Sequence, residues 1–204
     1  MTLIKDQKKE QKRPAIILLE GAFVLLLLAM FILPFLSLPG YSVTVNTLSE
    51  LGAQSSPGSW VMNLIFAALA LTSVISGWEC FEGFIFHRII LILFSSSLML
   101  AAVFNHAPVS TDVQYSIREG GWHSYFISTT WITFSILTFS TSLILEKPAD
   151  RILSNTAGLS ALLLMLLFSE ADRTAGIWQR LLFIISFGWM IYTFKTLHRQ
   201  QLNL

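Results

Sequence analysis

Six long apolar stretches, joined by short polar loops whose positive charges fall almost wholly on alternate sides, restrict what this chain can fold into. A run of about 20 apolar residues matches the hydrocarbon thickness of a bilayer, where every backbone N–H and C=O must find its partner within the protein. Helices meet that demand segment by segment, and no alternating ten-residue pattern of barrel strands competes with them. A hydrophobic fraction of 54%, against 12% charged residues, would leave a soluble chain of 204 residues with far too much exposed apolar surface. The expected fold is all-α: a polytopic six-helix transmembrane bundle, with spans at about 14 to 38, 60 to 79, 84 to 105, 122 to 145, 151 to 169 and 176 to 196. A single transmembrane domain, 14–196, then lies between a basic tail, 1–13, and a short tail, 197–204.

Lys5, Lys8, Lys9, Lys12 and Arg13 precede the first span as they would the apolar core of a signal peptide. The apolar run continues to Leu38, and Ser37-Leu38-Pro39-Gly40 lacks a small-x-small cleavage pattern, so the segment reads as an uncleaved signal anchor. Arg88, Lys147, Arg151, Lys195 and Arg199 fall on the same side as the five N-terminal cations, and Arg118, Arg173 and Arg180 on the other. Loops rich in Lys and Arg stay inside, which places both termini in the cytoplasm. The net charge of +1 conceals this asymmetry and points to no nucleic-acid partner. Cys80, the single cysteine, excludes an intrachain disulfide and a cysteine metal cluster.

Tight connections at Cys80 to Gly83 and Glu146 to Asp150 force consecutive helices to lie antiparallel and adjacent. The outer loops, 39–59 and 106–121, are longer and rich in Gly, Ser and Pro, long enough to fold over the bundle mouth. The fourth span carries Ser128, Ser135 and Ser142 at seven-residue intervals, with Thr138 between them. Such a stripe permits close helix packing; the alternative is a polar conduit.

The polar residues with chemical potential gather on the outer side. His106 ends the third span and His123 begins the fourth, at similar depth. Two imidazoles with a carboxylate from Asp112, Glu119 or Glu50 would make a zinc set, although the spacing is no specific metal motif. The alternative is that both histidines hold loops in place. Glu50 lies in Asn46-Thr47-Leu48-Ser49-Glu50-Leu51-Gly52, which reads as a short helix capped by Asn46 or Thr47 and ended by Gly52. Its carboxylate either caps that helix or serves the mouth as a base or cation partner, pairing with Arg180. Glu20 sits about 9 Å into the first span, near enough to the inner interface to meet a basic residue.

Four segments, Asn46 to Asn63 (NTLSELGAQSSPGSWVMN), Val103 to Val109 (VFNHAPV), Trp122 to Phe126 (WHSYF) and Gly176 to Arg180 (GIWQR), resemble those of domain-of-unknown-function family 998. These are six-span membrane proteins of bacteria and archaea, so the resemblance implies that fold and a bacterial or archaeal cytoplasmic membrane. It marks Ser49, Glu50, His106, His123, Gln179 and Arg180 as a shared outer constellation, and implies no activity. Where that family often reads Phe-Pro-x-Asp after the third span, this chain has Phe104-Asn105-His106-Ala107-Pro108, so no acid carries over to that place.

Three functions follow as expectations. The first is a binding, sensing or assembly module whose outer face recognises a lipid headgroup, a small solute or another membrane protein, with Ser49, Glu50, Asn63, Arg173, Gln179 and Arg180 as binding residues. The second is a metal-dependent hydrolase of a lipid or lipid-linked substrate, with zinc on His106, His123 and Asp112 or Glu119, Glu50 as base, and Arg173 or Arg180 steadying a phosphate. The third is a small proton-coupled transporter using Glu20 and the hydroxyls of the fourth span.

Overall fold

The computed structural model describes residues 13–110, 113–170 and 173–203. The segment 1–12 and the acids Asp112 and Asp172 lie outside the described residues. The long helices are α1 (Arg13–Ile32), α3 (Ser59–Cys80), α4 (Ile85–Val103), α5 (Ile117–Ser142), α6 (Pro148–Glu170) and α7 (Ala175–Asn203), with a single-turn helix, α2 (Leu48–Leu51), in the loop after α1. No strand occurs among the described residues.

Local chemistry accounts for the helix ends. Pro34 has no N–H to donate, and α1 tightens into a 3₁₀ turn at Leu33–Leu36. Pro148 opens α6, where a missing N–H is harmless. Helix α5 starts five residues before the expected 122, because the Ser116 side chain accepts a bond from the Glu119 N–H at 3.2 Å and caps a polar first turn. Helix α7 runs through Asn203, past the expected end at 196.

By length and composition, five helical segments can cross a membrane: Ala15–Leu36, Ser59–Cys80, Ile85–Val103, Pro148–Glu170 and Ala175–Leu202. Helix α5 is not one of these, and its sequence explains why: hydroxyl residues recur from Ser128 to Ser142 and lower its hydropathy. Those hydroxyls are occupied, except that of the buried Thr141. Thr130 donates to Phe126 O at 2.8 Å, Thr133 to Thr129 O at 2.7 Å and Thr138 to Ser135 O at 2.8 Å. Ser135 and Ser154 cross between helices, to Gly158 O at 3.2 Å and Thr138 O at 2.7 Å. A Cβ on Gly158 would come within 2.2 Å of Thr138 Oγ1, so this glycine lets α5 and α6 approach closely. This is the packing stripe of the two expectations, rather than the conduit.

Each helix packs on the next, and α7 closes the bundle by returning to α1 and α3. Aromatic rings on α7 reach four helices. Phe183 stacks on Phe66 of α3 at 5.1 Å and meets Trp131 of α5 edge-on at 4.7 Å. Phe187 lies 6.4 Å from Phe23 of α1 and 6.2 Å from Phe94 of α4. Between helices in lipid, solvent exclusion contributes little, so such shape-matched contacts, each worth about 0.5–1.5 kcal/mol beyond burial, bear more of the association. At the end away from the α1–α3 connection, Glu20 of α1 pairs with Lys195 of α7.

Candidate functional site

The connection from α1 to α3, residues 39–58, does not trail into solvent. It folds inward, and Leu48, Ser49, Leu51 and Ala53 are buried. Helix α2 is too short to satisfy its own leading amides, and three side chains do so. Gln179 Oε1, from α7, accepts from the N–H groups of Leu48 at 2.6 Å and Ser49 at 3.2 Å. Thr47 Oγ1 accepts from Glu50 N at 3.4 Å, and the Glu50 carboxylate accepts in return from the Thr47 backbone N–H, completing a capping box. Helix α7 is capped in exchange, since Gly176 N donates to Val45 O at 3.1 Å and Ile177 N to Thr44 O at 3.3 Å.

Arg180 fastens this lid. Its Nη1 donates to Val43 O at 2.7 Å, Asn46 O at 2.9 Å and Gly176 O at 2.9 Å, and its Nη2 to the Tyr41 hydroxyl at 2.9 Å. Tyr41 passes its own proton to Thr47 O at 2.8 Å. Burial pushes the Tyr41 phenol above its ordinary value, against the pull of the Arg180 guanidinium, so the hydroxyl keeps the proton that this bond needs. The expected Glu50–Arg180 pair is therefore not made: the carboxylate turns to the cap and the guanidinium to lid carbonyls. A neutral carbonyl set suits a buried guanidinium whose planar fork can reach several oxygens at once.

Beneath the lid lies a half-open pocket of about 460 Å³. Asn46, Thr47, Ser49 and Glu50 line it from the lid, His106 from the loop after α4, Ser124, Ile127 and Ser128 from α5, Phe168 and Ser169 from α6, and Gln179 from α7. The 104–116 loop is braced to the lid by Gln54, whose N donates to His106 O at 2.9 Å, and whose side chain accepts from Ser116 N at 2.8 Å. Asn63 completes the brace, donating to Gly52 O at 3.1 Å and Asn105 Oδ1 at 2.6 Å.

His106 and His123 come together, ring centroids 5.1 Å apart and nearly perpendicular. The Nδ1 of His123 faces two acceptors, Ala101 O and Phe104 O, both at 2.8 Å, so that nitrogen carries the proton. His106 Nδ1 likewise faces Ala107 O at 2.7 Å. Both rings thus present Nε2 as a lone pair, and that of His123 is buried without a partner. Glu119, another expected metal ligand, is engaged elsewhere. Glu119 Oε1 accepts from Asn105 N at 2.9 Å, Asp112 lies outside the described residues, and no three His, Cys, Asp or Glu side chains are grouped for a metal among the described residues.

Of the expected binding residues, Ser49, Glu50 and Gln179 line the pocket, whereas Asn63 and Arg180 hold its walls from behind and Arg173 is exposed at the approach to α7. Ser124, Ser128, Phe168 and Ser169 line it too, although sequence gives no reason to single them out as binding residues. Only Ser124 lies in a quoted motif, WHSYF; Tyr41 reads from sequence merely as an interfacial aromatic.

No curated protein and no solved structure matches the chain. The sequence pattern of one family extends over residues 21–194, from within α1 to the last third of α7, and so includes the lid, both histidines and the Gln179–Arg180 pair. The chain therefore belongs to the family described as Protein of unknown function (DUF998).

Proposed function

We propose that this is a six-span protein of a bacterial or archaeal cytoplasmic membrane, with both termini inside, whose mouth pocket faces outward and binds the polar head of a membrane lipid. A role in sensing, or in assembly with another membrane protein, would follow from that binding. Helix α5 serves as the sixth span: it packs between α4 and α6, and its hydroxyls, that of Thr141 excepted, are spent on helix carbonyls, which lowers the cost of placing them in lipid.

The observation that carries the reading is the two-sided wall of the pocket. One side is the polar lid with Glu50 and Ser49; on the other, the apolar side chains Ile127 and Phe168 stand among Ser124, Ser128 and Ser169 on helices α5 and α6. A cavity with a polar roof and an apolar flank at headgroup depth fits an amphiphile better than a fully hydrated solute. Ser128 is exposed on α5, so a large ring there fills the cavity without disturbing the core. Ser128→Trp is expected to retain its melting temperature in detergent but to lose, about tenfold, the lipid that co-purifies with the wild type, read by native mass spectrometry. Equal lipid retention by both proteins would remove the pocket from consideration.

A second reading, a metal-dependent hydrolase of a lipid or lipid-linked substrate, is supported by the two imidazoles with Nδ1 pinned to carbonyls and Nε2 presented, an orientation typical of zinc-ligating histidine. Asp112, or Glu119 on giving up its bond from Asn105 N, would complete the set, and Glu50 would serve as base. Stoichiometric zinc in the wild type, absent after identical chelator washes from the His106→Ala, His123→Ala variant, is its expected result by elemental analysis. Metal-free protein from zinc-supplemented cells would sink it.

A further inference from the structure

We propose that the mouth pocket is built for a primary ammonium group, an inference that rests on the pocket being the binding site. It comes from counting which polar atoms along the wall remain unused. Ser124 donates its hydroxyl proton to Gly120 O at 3.1 Å, Ser128 to Ser124 O at 2.8 Å and Ser169 to Leu166 O at 2.9 Å. These hydroxyls turn lone pairs, not protons, toward the cavity. Thr47 Oγ1 donates to Glu50 Oε2 at 3.0 Å, Asn46 Nδ2 to Glu50 Oε1 at 3.2 Å and Gln179 Nε2 of α7 to Ser49 Oγ at 3.2 Å, so each of these three groups donates to an acceptor in the lid.

His106 has its Nδ1 proton on Ala107 O, leaving the lone pair of Nε2. Glu50 is the one residue with a formal charge among those lining the pocket. A wall of acceptors around one carboxylate favours a ligand that brings donors and positive charge. An anionic head meets the reverse of what it needs, since Arg180, the nearby buried cation, has its Nη atoms committed to lid oxygens. A quaternary ammonium has no N–H to donate and is favoured by a cage of aromatic rings. Here Phe168 supplies the one benzene ring of the lining. A primary ammonium, with three donors, suits the set of lone pairs.

Such a group arrives either on a lipid headgroup or as a free small amine, and one experiment separates them. The full chain is reconstituted into nanodiscs of equimolar ethanolamine, choline and glycerol phospholipids with identical acyl chains, and the retained lipid is read by native mass spectrometry. The ethanolamine lipid is expected to be retained about tenfold over the other two. Glu50→Gln should abolish that preference yet leave the fold intact, because glutamine at this position also closes the capping box.

Free ethanolamine is then added in millimolar steps. Displacement of the lipid, with loss of the effect in Glu50→Gln, supports the seat and names a soluble amine as a sufficient ligand; retention of the lipid preference supports the headgroup as its source. Equal retention of ethanolamine and choline lipids, a preference that survives Glu50→Gln, or stoichiometric zinc in the pocket would each overturn the inference. The Ser128→Trp variant keeps the two claims apart: lipid lost from it without any headgroup preference in the wild type refutes the ammonium seat alone, whereas lipid unaffected by it refutes the pocket.

Discussion

Arg180→Met is expected to detach the 39–58 lid from the bundle while leaving the helices assembled. Methionine fills similar volume but leaves Val43 O without its Arg180 donor, leaves Asn46 O with only the longer bond from the Tyr41 hydroxyl at 3.3 Å, and removes the donor to that hydroxyl. An unpaired carbonyl costs about 1–3 kcal/mol where it is buried, and Val43 is an exposed residue, so the closed lid should lose about 1–3 kcal/mol. The measurement is thiol-reagent access to a cysteine introduced at Ser56, which is buried in the closed lid, compared in both backgrounds. Arg180→Lys should fall near methionine rather than near the wild type, since an ammonium cannot reproduce the planar fork. Tyr41→Phe combined with Arg180→Met should cost less than the sum of the two, because both act on one network. Unchanged access at position 56 in Arg180→Met would mean that the lid is held by its other contacts.

Gly176→Ala is expected to have an effect of comparable size from a single added methyl. A Cβ there would stand 2.3 Å from Asn46 O and 2.4 Å from Val43 O, and both atoms are backbone. No rotamer change relieves such a clash. Either the lid moves away from α7 or the first turn of α7 unwinds, and both break the Gly176 N to Val45 O bond. Overpacking of this kind costs about 1–3 kcal/mol or more, which corresponds to a fall of roughly 2–12 °C in melting temperature for a chain of this size. Gly121, at the mouth end of α5, has open space where its Cβ would stand, and Gly121→Ala is the matched control, with little change expected. If both substitutions are equally mild, the lid does not sit against α7 as described.

Both variants act on the lid, and the lid marks the boundary of what could be read ahead of the structure. The capping role of Glu50 was legible because it is local: Thr47 and Glu50 are three residues apart, and the pattern of a threonine followed by an acid and then a glycine describes one helical turn. The antiparallel adjacency of successive helices was legible because short connections leave no other arrangement. The proximity of His106 and His123 could be anticipated for the same reason, since one loop joins the ends of their helices. The commitment of Arg180 to the lid was not legible because its partners are largely backbone oxygens, which carry no signature in side-chain identity. Glu20 lies on the first helix and Lys195 on the last, so their pairing awaits the return of α7 to α1.

The sequence by itself determined that this is a helical protein suited to lipid, roughly where its apolar segments lie, and which polar residues share one end. Those properties are sums over neighbouring residues: hydropathy accumulates along a segment, and helix ends respond to proline and capping side chains within a turn. Only the tertiary structure decided that the first loop closes over the mouth, that Gln179 caps a helix 130 residues away through Ser49, and that serines of α5 and α6 become walls of a pocket. Contacts of that range depend on how six helices pack around α7, and the small and aromatic residues that set this packing look, in sequence, like any other filling of a membrane helix.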